Sequence, residues 1–151
     1  MKKLILAAFI SFPVLAVELN FIGPCSEEFI MRTQVTEEFN HVGDLTIATL
    51  NKYKIPFHGY PEGMASVFGF GNYMETLADN EFRAYGWCFK VDGVMPEVFP
   101  YEAYLTPETK TISWIYGYSH FKNGEWLSQC EEAFKVKPKE LCENLSTGIK
   151  L

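Results

Sequence analysis

The sequence predicts an α+β fold, a mixed sheet of four to five strands packed on one main helix. Three observations carry this. Residues 17–22 and 29–35 alternate apolar and polar side chains, the period of a half-buried strand. Residues 44–54 have helix-compatible composition, with apolar positions spaced along adjoining helical stripes. Residues 85–91 and 111–119 return to alternation. The order strand, strand, helix, strands sets one helix against one sheet face.

In VELNFI, Val17, Leu19 and Phe21 share a face, and Gly23 with Pro24 breaks the run. FIMRTQV sets Phe29, Met31, Thr33 and Val35 against Ile30, Arg32 and Gln34, and the short link between the two runs reads as a hairpin. Asp44 is the expected helix N-cap, because its carboxylate can accept from the free amides of the first turn. Leu45, Ala48 and Lys52 then form one stripe, with Ile47 and Leu50 beside it. Lys52 and Lys54 suit the negative C-terminal end, and Pro56 stops the helix.

Residues 57–63 read as a loop, 64–70 as a short strand weakened by Gly69, and 71–82 as polar and irregular. Tyr85, Trp87, Phe89 and Val91 alternate with Gly86, Cys88 and Lys90 up to the turn pair Asp92-Gly93. Residues 94–107 carry three prolines and little periodicity, an ordered loop. Ile112, Trp114, Tyr116 and Tyr118 line one face of the next strand, and Asn123-Gly124 makes a further turn with Trp126 just beyond. After Cys130 the chain turns polar, with one helical turn expected and fraying after Cys142.

The first residues, MKKLILAAFISFPVLA, join a basic n-region (Lys2, Lys3) to an apolar run and to small residues at Val14 and Ala16, the pattern of a secretory leader cut before Val17. The apolar run is too short to span a bilayer. The expected organisation is therefore a leader at 1–16, a domain at 17–130 and a polar tail at 131–151, partly tied down by Cys142. The chain carries a net charge of −6, and loss of Lys2 and Lys3 takes it to −8. That charge opposes binding to nucleic acid and to anionic lipid. An exported location, periplasmic or secreted, puts all four cysteines in an oxidising compartment, where disulfides are expected. No close CxxC or CxH pair points to a metal.

With two hairpins flanking a central helix, the expected arrangement is β-grasp. VGDLTIATL, GWCFKVDG and TISWIYGY, following a hairpin in this order, resemble the transcobalamin-like C-terminal domain family, a β-grasp module of exported bacterial proteins. The resemblance spans about residues 17–130. It is most specific at Gly86-Trp87, at Val91-Asp92-Gly93 and from Ile112 to Tyr116. In the vitamin B12 carriers a related domain covers one face of the corrinoid. This chain has no large helical domain to make the other half of such a site, and Pro107-Glu108-Thr109-Lys110 replaces the Gly-Asp turn usual in the family. The resemblance implies the fold, leaves corrinoid as a family-level possibility, and carries over no ligand residue. In a β-grasp sheet the first and last strands lie parallel, so Cys25 and Cys130 are expected to pair; Cys88 then pairs with Cys142 by elimination.

Aromatic residues make up 16% of the chain. Trp87, Tyr116, Tyr118 and Trp126, with Glu97 in the adjoining loop, are the candidate ligand-binding residues. A planar ligand, a glycan or a peptide could stack on such rings, although one sheet face must also be buried as core. Asp92, Glu97 and Glu102 are the carboxylates a hydrolase would use, but no positioned partner base accompanies them. His41, His58 and His120 have no ligand-like spacing. No GxSxG, HExxH, P-loop or dinucleotide fingerprint is present. The expectation is an exported, non-enzymatic binding or interaction module without a cofactor. The alternatives are a protein-interaction subunit of an envelope complex and a hydrolase working through the loop carboxylates.

Overall fold

The computed structural model describes residues 16–146. The expected leader, apart from Ala16, lies outside the described residues, as does the end of the polar tail. Strands account for 50% of the structure and helices for 15%, which overturns the expected single sheet packed on one main helix. β1 (Val17–Ile22) and β2 (Phe29–Val35) form an antiparallel hairpin, followed by α1 (Val42–Lys52). β3 (Phe57–Tyr60), β4 (Gly63–Val67) and β5 (Phe70–Gly71) make a separate antiparallel sheet. β6 (Tyr73–Ala78), β7 (Glu81–Val91), β8 (Thr111–Lys122) and β9 (Glu125–Glu132) return to the first sheet. A 3-10 turn (Ala133–Lys135) and α2 (Lys139–Ser146) follow.

The large sheet runs β2-β1-β8-β7-β6. β7 occupies one edge of β8 along nearly its whole length, from Val91 opposite Ile112 to Glu81 opposite Lys122. The other edge of β8 is shared end to end: β1 lies parallel to Thr111–Ile115, and β9 lies antiparallel to the half from Gly117 to Lys122.

Length explains why one helix does not cover this sheet. α1 has 11 residues, about 16 Å, whereas β8 has 12 residues, about 40 Å. The helix meets the first half of the inner face, where the Trp114 indole donates to Thr46 Oγ1 at 2.9 Å. The small sheet meets the next part: the Trp87 indole donates to the Phe70 carbonyl at 2.8 Å, and the Tyr116 hydroxyl to the Gly71 carbonyl at 2.5 Å. Leu19, Phe21, Leu45, Leu50, Val67, Trp114 and Tyr116 form the shared core.

The helix begins at Val42, two residues before the expected cap. His41 is the N-cap and makes no side-chain capping bond. Two of the first-turn amides are satisfied by the loop after β7: Val42 N donates to Ala103 O at 3.0 Å, and Gly43 N to Pro100 O at 2.9 Å. Asp44 sits in the first turn, 3.2 Å from His41 Nδ1. A Cβ on Gly43 would stand 2.2 Å from the Pro61 carbonyl oxygen, so only glycine lets the small sheet's turn approach the helix here.

Both expected disulfide pairings are wrong. Cys25 pairs with Cys142, and Cys88 with Cys130, at Cα separations of 5.5 and 6.2 Å. The shared edge of β8 explains this. The end of β1 lies beside Ile115 and the end of β9 beside Gly117, so the chain leaving β9 enters the neighbourhood of the first turn, and α2 carries Cys142 to Cys25. Cys88, on the outer face of β7, reaches Cys130 across β8 at Gly117. A Cβ there would lie 3.2 Å from Cys88 Sγ and 3.1 Å from the Glu131 carbonyl oxygen. Cys130 itself adopts the left-handed region, φ 50°, at an irregularity that turns β9 out of regular register.

The joint between β9 and the tail is ionic. Glu132 lies 2.7 Å from Lys135 Nζ and 3.0 Å from Lys90 Nζ. The hydrogen bond from Lys135, joined by that from Lys90 and opposed by burial, holds its carboxyl down at about 2, below the usual 4.5. A carboxyl depressed on folding stabilises above its unfolded pKa, and that contribution disappears as pH falls from about 4.5 to about 2. Glu132→Gln should therefore cost about 1 kcal/mol at pH 7, and the difference from wild type should vanish near pH 2 in denaturant titrations across that range. A difference that persists unchanged at low pH would show that the carboxylate charge is not responsible.

Candidate functional site

The aromatic residues expected to bind a ligand divide sharply. Trp87 and Tyr116 sit opposite each other on β7 and β8, their rings edge to face at 5.4 Å, beneath the small sheet. Both are buried, and both polar tips are taken by backbone carbonyls. Burial raises the Tyr116 phenol to about 12. They are core. Tyr118 is half-buried, with the Arg83 guanidinium 5.3 Å above its ring and Tyr85 beside it. Trp126 is 50% exposed on the outer face, edge-on to Phe82 and Phe121. Glu97 is exposed in the loop after β7. The five residues do not converge on one site.

The loop carboxylates are similarly dispersed. Asp92 Oδ1 accepts from the Lys110 and Thr111 amides and the Thr111 hydroxyl, at 3.0, 2.8 and 3.2 Å. Burial opposes its ionisation, but these bonds outweigh it and hold the carboxyl below its usual range. The Asp92-Gly93 turn, with φ of 49° and 82°, thereby closes the base of the loop. Glu102 accepts from the Phe99 amide at 3.1 Å. His41 faces Tyr104, His120 lies 2.9 Å from Glu81, and His58 is on β3. Among the described residues no group of three or more His, Cys, Asp or Glu side chains is arranged to hold a metal ion.

A run of exposed apolar side chains lies elsewhere, on the loop between β7 and β8. Val94, Met95, Val98, Phe99, Tyr101 and Tyr104 are all exposed, Phe99 by 61% and Tyr104 by 72%. The loop is nonetheless firmly seated. Its carbonyls receive the Val42 and Gly43 amides, Leu105 N donates to Asn40 O at 2.8 Å, and Tyr104 bridges to His41. Residues 99–103 form a turn in which the Glu102 and Ala103 amides donate to Phe99 O. The Phe99 and Tyr101 rings stack at 6.1 Å, and the Tyr104 ring lies 4.6 Å from His41. The neighbouring Glu102 carboxylate raises the Tyr101 phenol, with burial and Glu62 adding to it. The loop thus presents apolar rings among Glu97 and Glu102, with no basic residue between Val94 and Glu108.

Sequence reasoning missed this surface because proline-broken apolar residues carry no period. The available signal was their number: seven large apolar residues between 94 and 107, a segment that no helix or strand claimed.

No protein-family model matches the chain, and neither a curated protein nor a solved structure matches it. The most specific motifs behind the transcobalamin-like resemblance lie on β7, its turn and the first half of β8, where Trp87, Trp114 and Tyr116 build the core. Among the described residues no helix is long and apolar enough to cross a membrane.

Proposed function

We infer that the chain is an exported, non-enzymatic interaction module that holds a protein partner on the loop between β7 and β8. The observation that carries this is the loop's exposed apolar side chains on a backbone fixed by hydrogen bonds to the start of α1. Contiguous exposed apolar surface on a well-ordered segment characterises contact sites. The aromatic enrichment suits the anchoring residues of protein interfaces. Glu97 and Glu102 favour a partner segment that is apolar and flanked by basic side chains. The leader-like first residues and the two disulfides support export.

A photo-crosslinking residue placed at Phe99 or Tyr104 should give a discrete protein adduct in the exporting cell. One placed at Asp79, at the other end of β7, should give none. Phe99→Ser with Tyr104→Ser should remove the partner while shifting stability by less than about 1 kcal/mol, since both side chains are exposed. No adduct at either loop position, or the same adduct from Asp79, refutes the assignment.

A further inference from the structure

A second concave surface lies away from that loop. The turn between β1 and β2 and the turn between β4 and β5 enclose a cleft of about 340 Å³. That size suits a small molecule and excludes a folded partner. Its floor is apolar and fixed: Pro24 and Phe70 are buried, and Cys25 is locked to Cys142. Ile30 and Phe68 line the sides, and the exposed Ser26 and Glu28 stand at the rim.

Two features show that the walls are not merely leftover surface. Phe68 adopts φ 55° at the first position of the two-residue turn Phe68-Gly69. Asn, Asp or Gly would make this turn with less strain. Phenylalanine there sets its ring edge-on to Phe21 at 5.4 Å and still lines the cleft. Gly23 has the converse role. A Cβ at this position would stand 2.6 Å from Ile30 Cδ1, so glycine leaves Ile30 room beside the cleft.

Glu28 supplies the polar preference. Its amide donates to Ser26 Oγ at 3.1 Å, while its carboxylate makes no hydrogen bond or ion pair with another described residue. An apolar slot with one unpartnered carboxylate at its rim complements an apolar body carrying a cation. We propose that this cleft binds a small apolar amine, its hydrocarbon body between Phe68, Phe70 and Ile30 and its ammonium at Glu28.

The probe is 4-phenylbutylamine, titrated calorimetrically at low ionic strength into the oxidised protein, with 4-phenylbutyrate as the matched anion. The expected result is saturable one-to-one binding of the amine, about fivefold tighter than of the acid, the size of an exposed charge preference. Glu28→Gln should abolish that preference while retaining binding of the amine. Phe68→Asn should weaken both probes, with a cooperative thermal melt as the folding control. If that variant does not fold, Ile30→Ser, at a half-exposed wall, should weaken both probes instead. Absence of saturable amine binding, equal affinity for acid and amine in the wild type, or unchanged binding in a folded wall variant would each overturn the proposal. Because Phe99 and Tyr104 are untouched, none of these results bears on the partner surface.

Discussion

Replacing Cys25 and Cys142 together by serine should lower the unfolding free energy by about 4–5 kcal/mol. The bridge closes a sequence separation of 117, almost the whole described chain, so its loss releases most of the unfolded ensemble from constraint. The Cys88–Cys130 bridge spans 42 residues, and because loop entropy grows only logarithmically its removal should cost about 4 kcal/mol. The two losses also differ in kind. Cys142 lies on α2, whose 8 residues are too few to be helical alone, so the first variant should release the tail. The second removes a staple across β8 and should loosen β9. Denaturant unfolding of each double variant, with hydrogen exchange to locate the change, tests both expectations. A loss below about 1 kcal/mol for the 25–142 pair, or a non-reducing peptide map that joins Cys25 to Cys130, contradicts them.

Trp114→Ala should be comparably damaging, at about 3–5 kcal/mol. Trp114 is 1% exposed and stacks on Phe21 with ring centroids 6.4 Å apart and planes 8° from parallel. Phe89 packs beside it at 5.4 Å. Its indole N–H donates to Thr46 Oγ1, which itself donates to Val42 O at 2.8 Å. The side chain therefore joins the sheet to α1 by packing and by a buried hydrogen bond. Trp114→Phe keeps most of the ring and should cost only about 1–2 kcal/mol, the value of the lost bond with some lost volume. Trp126→Ala, at an exposed ring, serves as the surface control and should cost about 1 kcal/mol or less. If Trp114→Ala and Trp126→Ala prove equally mild, the inner face of β8 is not the core.

Strands that bury one face were legible because burial writes a period into the sequence. VELNFI, TISWIYGY and the stretch around Trp87 each place every second side chain in the core, and each is a strand in the structure. FIMRTQV is also a strand, although only Val35 is buried. FHGY, YMETLA and EWLSQCEE are strands as well, yet 57–63 reads as a loop, 71–82 as irregular, and β9 carries no strand signal. Their stability comes from ladder bonds to β4, β7 and β8, and most of their side chains face water, so no alternation records them. The candidate site failed for a related reason. Alternation tells which aromatic residues share a face but not whether that face is covered, and here α1 and the small sheet cover Trp87, Trp114 and Tyr116.

The sequence by itself determined β1, β2, β7 and β8, the helix near residue 45, the turns at Asp92-Gly93 and Asn123-Gly124, and an even set of cysteines suited to disulfides. These follow from local chemistry: burial period, positive-φ turn residues and the parity of thiols. Only the tertiary structure decided which cysteines meet, because that depends on β1 and β9 sharing one edge of β8 and on Gly117 leaving room for a bridge above it. It also decided which aromatic residues reach solvent. A single helix of about 16 Å cannot cover a strand of about 40 Å, so a second sheet covers the next part of the face.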